Sequence, residues 1–161
     1  MKLYTHPIST TCRPIMMFAA EQGIPLDMQV VDLFTGEHTK APYGAINPNH
    51  LIPVLEDGDF QLTESSAIMK YLAEKAGSPL YPKDLQQRAR VNERMDWINT
   101  QLGREFCYGV VYPQIFPHHK RRSAEAQEAT LQWGKEHAQR WLKVLDENIL
   151  GPGNNYLCGD S

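Results

Sequence analysis

Three short segments in the first half of the sequence carry residue types that do chemistry. The first is Ser9-Thr10-Thr11-Cys12-Arg13-Pro14, lying between the short segment Lys2-Leu3-Tyr4 and an apolar stretch from Ile15 to Ala20. A strand handing over to a helix at this point leaves free N–H donors and a partial positive charge, which stabilise an anion such as a thiolate. A Cys-x-x-Cys pair here would run disulfide exchange, but Ser9 fills the exposed slot and Cys12 the inner one. An inner cysteine behaves as a small buried hydrophobe, and using it for thiol-disulfide chemistry would require an exposed thiol of low pKa. What remains is a hydroxyl donor suited to a sulfur that arrives on a ligand. Ser9 and the two threonines serve equally well as plain helix caps.

The second segment is Asn47-Pro48-Asn49-His50-Leu51-Ile52-Pro53-Val54-Leu55. A proline just before an interior strand is out of place unless its peptide bond is special, which makes Ile52-Pro53 a candidate cis bond. Such a bond turns the Ile52 N–H and C=O outward to an extended peptide ligand; a trans proline opening an edge strand is the alternative. The third segment is Thr63-Glu64-Ser65-Ser66, at the start of an apolar-periodic stretch. Its serines fit a helix start, where free N–H groups bind a carboxylate, and Glu64 offers an acceptor for an ammonium group. Capping alone also explains the serines. A small thiol peptide with free α-amino and α-carboxyl groups satisfies all three segments, and glutathione is such a molecule.

The elements that must position these segments follow from pattern. Lys2-Leu3-Tyr4 reads as a strand, Pro14 suits the first turn of a helix that Gly23 closes, and Met28 to Leu33 reads as a second strand. So short a strand-helix-strand succession implies a parallel βαβ unit. Val54-Leu55-Glu56 and Phe60-Gln61-Leu62 flank Asp57-Gly58-Asp59, a hairpin signal, and a helix from Glu64 to Lys75 closes at Gly77. The order βαβ then ββα gives a mixed four-stranded sheet with helices on its faces, the thioredoxin-like α/β architecture. After a proline-bearing linker at 79–85, strand patterns stop. Val91, Met95, Ile98 and Leu102 recur at helical spacing, as do Leu131, Ala138, Trp141, Leu142, Leu145 and Ile149. At least two long helices interrupted at Pro113/Pro117 are expected. The domains are therefore read as 1–78 and an all-helical 86–161.

Composition bounds the rest. With 161 residues, a net charge of −3 and 42% hydrophobic residues, the chain has the make-up of a globular protein, and disordered, collagen-like and membrane classes drop out. The first 78 residues hold 9 Asp+Glu against 5 Lys+Arg, whereas the remainder is nearly neutral and holds all three Trp. The one basic run, His118-His119-Lys120-Arg121-Arg122, lacks interleaved aromatics, so no nucleic-acid partner is expected. Absence of an apolar signal region or an 18-residue apolar run leads to an expected cytoplasmic location and no membrane partner. Three widely spaced cysteines fit neither a disulfide framework nor a zinc site, so no metal is expected.

Taken in order, these segments resemble the cytosolic glutathione transferases, most closely the serine-type theta and delta members and their bacterial relatives. The matching stretches are Leu3-Tyr4 through Arg13, Val31-Asp32-Leu33 with Gly36-Glu37-His38, Asn47 through Leu55, Asp57 through Phe60 with Leu62 through Ser65, and Tyr81-Pro82-Lys83-Asp84. Each is weak alone, and in that order they are specific. The resemblance implies that Ser9 donates to the glutathione sulfur, that His38 and His50 contact its glycine end, and that Leu51-Ile52-Pro53 dock the cysteinyl moiety through main chain. It implies that Glu64, Ser65 and Ser66 hold the γ-glutamyl end. No lysine stands near Leu51, which leaves His50 as the anchor there. The position from which some classes send an acidic residue across the dimer is Thr100. A hydrophobic electrophile would rest against Phe106, Tyr108, Val111, Tyr112 and Phe116. The resemblance further implies a homodimer, glutathione as co-substrate, and thiolate attack on an electrophilic carbon. A glutathione-dependent dehalogenase or isomerase, and a non-catalytic glutathione-binding protein, are the alternatives. Tyr156 through Ser161 resembles the approach to a capping-box helix of the family, so a helical domain lacking its C-terminal part is expected.

Overall fold

The computed structural model describes residues 1–151 and 153–159; Asp160 and Ser161, read above as leading into a capping box, lie outside them. Two compact units divide the chain, Met1–Tyr81 and Pro82–Ser161. In the first, β1 (Lys2–Thr5) buries every second residue, Leu3 and Thr5, as a strand with one face on a core must. It pairs in parallel with β2 (Asp27–Val30) and antiparallel with β3 (Val54–Asp57), which pairs with β4 (Phe60–Thr63). The order is β2-β1-β3-β4.

Helix α1 (Cys12–Glu21) and helix α3 (Ser65–Ala76) bury Ile15, Ile68 and Leu72 against Leu3 and Leu55 of the sheet. A second cluster joins Tyr43 of α2 (Ala41–Ile46) to Val31 and Val54. The expected mixed four-stranded sheet with helices on its faces is therefore present. Both helix-closing glycines, Gly23 and Gly77, have φ of 64°. β2 ends earlier than Met28 to Leu33 implied, because the Asp32 carboxylate accepts from Phe34 N–H at 2.9 Å and Thr35 N–H at 3.2 Å. That local turn competes with sheet pairing and wins. Likewise α3 starts at Ser65, since Glu64 precedes it at φ 65°.

The second unit is helical. Helix α4 (Leu85–Trp97) is capped by Asp84, whose carboxylate accepts from Gln86 and Gln87 N–H. It runs on through wider π-type winding at Ile98–Leu102 and Arg104–Val111 into α5 (Tyr112–Ile115). The expected Pro113/Pro117 interruption falls at Phe116 and Pro117. Pro113 sits buried inside the helical run, because the wide turns before it accommodate its missing N–H. Phe116 is extended at φ −102° and ψ 123°, as a residue before Pro117 must be. Helix α6 (Ala124–Val144) is capped by Ser123 and continues as π winding over Leu145–Leu150. A Cβ on Gly134 would lie 2.5 Å from the Gly109 carbonyl carbon, so two glycines set the close crossing of α6 with the Arg104–Val111 segment. Among the described residues no helix is long and apolar enough to cross a membrane.

Candidate functional site

Strand direction gathers the three segments. β1 finishes where β3 begins, with Tyr4 opposite Val54, and β4 finishes there too, with Thr63 opposite Val54. The loop after β1 holds Ser9, the segment before β3 holds His50 to Pro53, and the start of α3 after β4 holds Glu64 to Ser66. β2 runs parallel to β1, so the chain leaving it toward His38 departs from the same end. All eight residues of the first unit other than Ser9 that were expected at the site therefore follow from one end of the sheet, together with Ser9.

Ser9 is buried, fixed by its N–H on His6 C=O at 2.9 Å and its C=O accepting Arg13 N–H at 3.1 Å. Its Oγ accepts Cys12 N–H at 3.3 Å, so it does cap α1, and it lies 3.1 Å from Thr11 Oγ1. Thr11 Oγ1 in turn donates to the Ile52 carbonyl at 3.4 Å, joining two of the three segments. The Ile52–Pro53 bond is cis. Buried Tyr43 and Asn47 both donate to the Leu51 carbonyl, at 2.8 and 2.7 Å, and fix the main chain just before it. Burial pushes the Tyr43 phenol well above its ordinary pKa, so it remains a donor at any working pH.

His50 Nδ1 lies 2.9 Å from the His38 carbonyl. A carbonyl only accepts, so Nδ1 carries the hydrogen in this bond. The ring lies over Gly44, where a Cβ would come within 2.7 Å of it. His38 itself is buried in a short turn of 3-10 helix, Glu37–Thr39, where the sequence alone favours a surface loop. Glu64 is exposed at φ 65°, a conformation uncommon outside glycine. Ser65 and Ser66 are half-buried in the first turn of α3.

The expected apolar wall in the second unit is only partly assembled. Tyr108, Tyr112 and Phe116 meet edge-to-face in a row, with ring centroids 4.8 and 5.5 Å apart, and His119 packs on all three. Phe106 is exposed and takes no part in that row of rings, and Val111 is half-buried. Phe116 is buried, so it acts as core more than wall. Tyr108 also lines a groove of about 510 Å³ with Gly109, Ala129, Thr130 and Trp133. Cys12 has no exposed surface, which disfavours the disulfide-exchange alternative, since that needs an exposed thiol. No group of three or more His, Cys, Asp or Glu side chains able to hold a metal ion occurs among the described residues.

The chain is 31% identical to a delta-class glutathione transferase from Nilaparvata lugens of known structure, with a TM-score of 0.75 over 99% of this chain and 70% of that one. The chain belongs to the glutathione transferase family. Residues 8–75 match the family model for the glutathione S-transferase N-terminal domain. Human glutathione S-transferase theta-1 is 40% identical over 119 residues, 73% of this chain and 50% of that protein. Human glutathione transferase theta-2, solved in complex with glutathione and an unknown ligand, has a TM-score of 0.79 at 34% identity, over 99% of this chain and 65% of that one. This family member spans about half the length of the curated relatives it matches.

The hydrogen bonds that Thr11, Tyr43 and Asn47 make at the site have no local signal in the sequence. Thr11 was visible as a second hydroxyl two residues beyond Ser9, yet its partner is 41 residues away and leaves no local trace. Ile8 and Phe34, 39% and 59% exposed, also flank the Ser9 loop, with His6 packed edge-on to Phe34 at 5.8 Å.

Proposed function

We propose that this chain binds glutathione at the end of the sheet formed by residues 1–78 and transfers its thiolate to an electrophilic carbon of an apolar small molecule held by residues 86–161. Ser9 donates to the sulfur, and the first turn of α1 adds its positive end. Ile52 and Pro53 receive the cysteinyl main chain beside Leu51, His38 and His50 take the glycine end, and Glu64, Ser65 and Ser66 take the γ-glutamyl end. The thiol proton leaves to solvent, the sulfur lone pair forms the new carbon–sulfur bond, and the leaving group departs with the electrons of the bond it breaks. Tyr108 and Tyr112 offer the apolar surface, with Phe106, Val111 and Phe116 around them. A homodimer in the cytoplasm is the expected form.

The observation that carries this reading is the buried Ser9 hydroxyl at the N-terminus of α1, linked through Thr11 to the Ile52 main chain. Membership of the family supports it, as does the glutathione bound in the theta-2 relative. Lowering an ordinary thiol from about 8.5 to about 6.5 needs roughly 2.7 kcal/mol. A hydrogen bond to a charged group contributes about 1.5–3 kcal/mol, and a helix N-terminus about 0.3–1 kcal/mol. The two together reach the requirement.

Glutathione affinity by calorimetry and conjugation of a chlorodinitrobenzene-type electrophile test the reading. Ser9→Ala should keep glutathione affinity and lose about 10–100-fold in kcat/KM, the worth of one charged hydrogen bond. A parent protein that binds glutathione without turnover would make the site a binding module. Loss of activity in Cys12→Ala with retention in Ser9→Ala would move the chemistry to the cysteine.

A further inference from the structure

We infer that Thr11 is a positioning residue that aims the Ser9 hydrogen according to whether a peptide ligand has engaged the Ile52 carbonyl. The inference rests on the proposed glutathione reading and specifies how docking and sulfur activation are coupled in this chain. Thr11 Oγ1 lies between the two groups, 3.1 Å from Ser9 Oγ and 3.4 Å from the Ile52 carbonyl oxygen. A hydroxyl has one hydrogen and a carbonyl has none to give. When Thr11 donates to Ile52, the Ser9–Thr11 contact can only be filled by Ser9 donating. Ser9 Oγ already accepts Cys12 N–H at 3.3 Å, so its own hydrogen is the one left to point at Thr11. Without ligand, the hydrogen bonds therefore run from Ser9 to Thr11 to Ile52, and the Ser9 hydrogen faces away from an incoming sulfur.

The last link is the weak one. At 3.4 Å it is long for an O–H···O bond, and Thr11 is exposed. An amide N–H of an extended peptide ligand takes the Ile52 carbonyl in its place. Thr11 then turns its hydrogen to Ser9 Oγ, and the Ser9 hydrogen is released to the sulfur. Ser9 Oγ now accepts two hydrogen bonds, from Cys12 N–H and from Thr11, and both polarise it as a donor. Among Ser9, Thr11 and Ile52 only hydrogen-bond partners change and each hydroxyl keeps its proton; the one proton that moves is the thiol's, which goes to solvent as in the proposed reaction. Thiols without a peptide N–H leave the relay in its resting direction.

The test compares the full chain with Thr11→Val, which keeps the shape and removes the hydroxyl, and Thr11→Ser, which keeps the hydroxyl. The pKa of bound glutathione is read from thiolate absorbance, and docking without ionisation is read from S-methylglutathione affinity. Thr11→Val should raise the bound-thiol pKa by about 0.1–0.7 unit, the loss of one polarising hydrogen bond. It should bind S-methylglutathione as tightly as the parent or more tightly, because the Ile52 carbonyl no longer has to be vacated. Thr11→Ser should restore the parent pKa. General damage to the loop would instead weaken S-methylglutathione binding, and that result overturns the relay. So does a parent-like thiol pKa in Thr11→Val, or a Thr11→Ser variant shifted as far as Thr11→Val. A parent protein that leaves the glutathione thiol at its ordinary value overturns the glutathione reading itself, and the relay falls with it.

Discussion

The two units of this chain are held together differently. In the first, Leu3, Ile15, Leu55, Ile68 and Leu72 have no exposed surface and meet in one cluster between the sheet and two helices. The second buries Glu105, Gly109, Pro113, Phe116, Gly134, Ala138 and Ile149, of which only Phe116 and Ile149 are large and apolar, and α4 buries nothing completely. Two of its helical segments meet backbone on backbone, Gly109 against Gly134. Glu105, paired with Arg104 at 2.6 Å, is buried, and a buried ion pair contributes little net stability. The Ser9 hydroxyl and the Ile52-Pro53 segment, the proposed sulfur donor and docking site, thus sit on the end of the unit whose core is filled. The aromatic row proposed to face the electrophile sits on the unit that is packed less completely. Groups that must be held within a fraction of an ångström need rigid support, whereas an apolar wall tolerates adjustment.

Substituting into each unit tests that contrast. Leu55→Ala leaves a cavity in a core that cannot reach water, so unfolding in denaturant should show a loss of about 2–5 kcal/mol. Leu142→Ala removes a side chain that is 44% exposed, and should stay within about 0.5 kcal/mol. Comparable losses at the two positions would erase the distinction between the units. The next largest effect is expected at the glycine crossing. Gly134→Ala puts a methyl 2.5 Å from the Gly109 carbonyl carbon and 2.6 Å from its oxygen. Backbone cannot yield as a flexible side chain does, so a cost of about 1–3 kcal/mol is expected, despite the gain in helix propensity. A neutral or stabilised Gly134→Ala, measured by the same denaturation, would mean that the helices simply move apart and that the second unit has no fixed point at all.

What the sequence made legible divides along the same line. The hairpin at Asp57-Gly58-Asp59, the glycines closing α1 and α3, and the unusual Ile52-Pro53 bond are written in adjacent residues, since turn chemistry is local. Where two local signals compete, the reading slips: the apolar run to Leu33 promised a longer β2, and the Asp32 turn ended it. Pro113 looked like a break because a helix built only on i to i−4 bonds cannot hold it. The wider winding before it belongs to a helix whose neighbour, Gly134, was invisible in the segment itself. The site followed the same rule. Ser9, the Ile52-Pro53 segment and the Glu64-Ser66 segment were each found from local chemistry, and their convergence was given by strand order. The hydroxyl that links the first two was not found, because its meaning depends on a carbonyl 41 residues away.

The smallest expected effect concerns acid. His119 packs against Tyr108, Tyr112 and Phe116, and burial lowers its pKa, with the positive charges of His118 and Arg121 adding to the shift. A lowered histidine pKa means that the folded unit prefers the neutral ring. Its contribution is complete above the unfolded value near 6.5, and is lost as pH falls through the lower folded value. In the first unit Asp57 is held below its ordinary pKa by its bonds from Lys75 and then Tyr71. That contribution is complete above about 3.9 and is lost only as pH falls further. Mild acid should therefore loosen the helical unit first. Trp97, Trp133 and Trp141 all lie in that unit, so tryptophan fluorescence reads it alone, while hydrogen exchange at β1 and β3 reads the other. Fluorescence should begin to shift below about pH 6.5, with strand protection unchanged until the carboxylate range, and His119→Gln should remove the early shift. If strand protection and fluorescence fall together, or if His119→Gln leaves the early shift in place, the aromatic row around His119 is not what sets the acid limit of the helical unit.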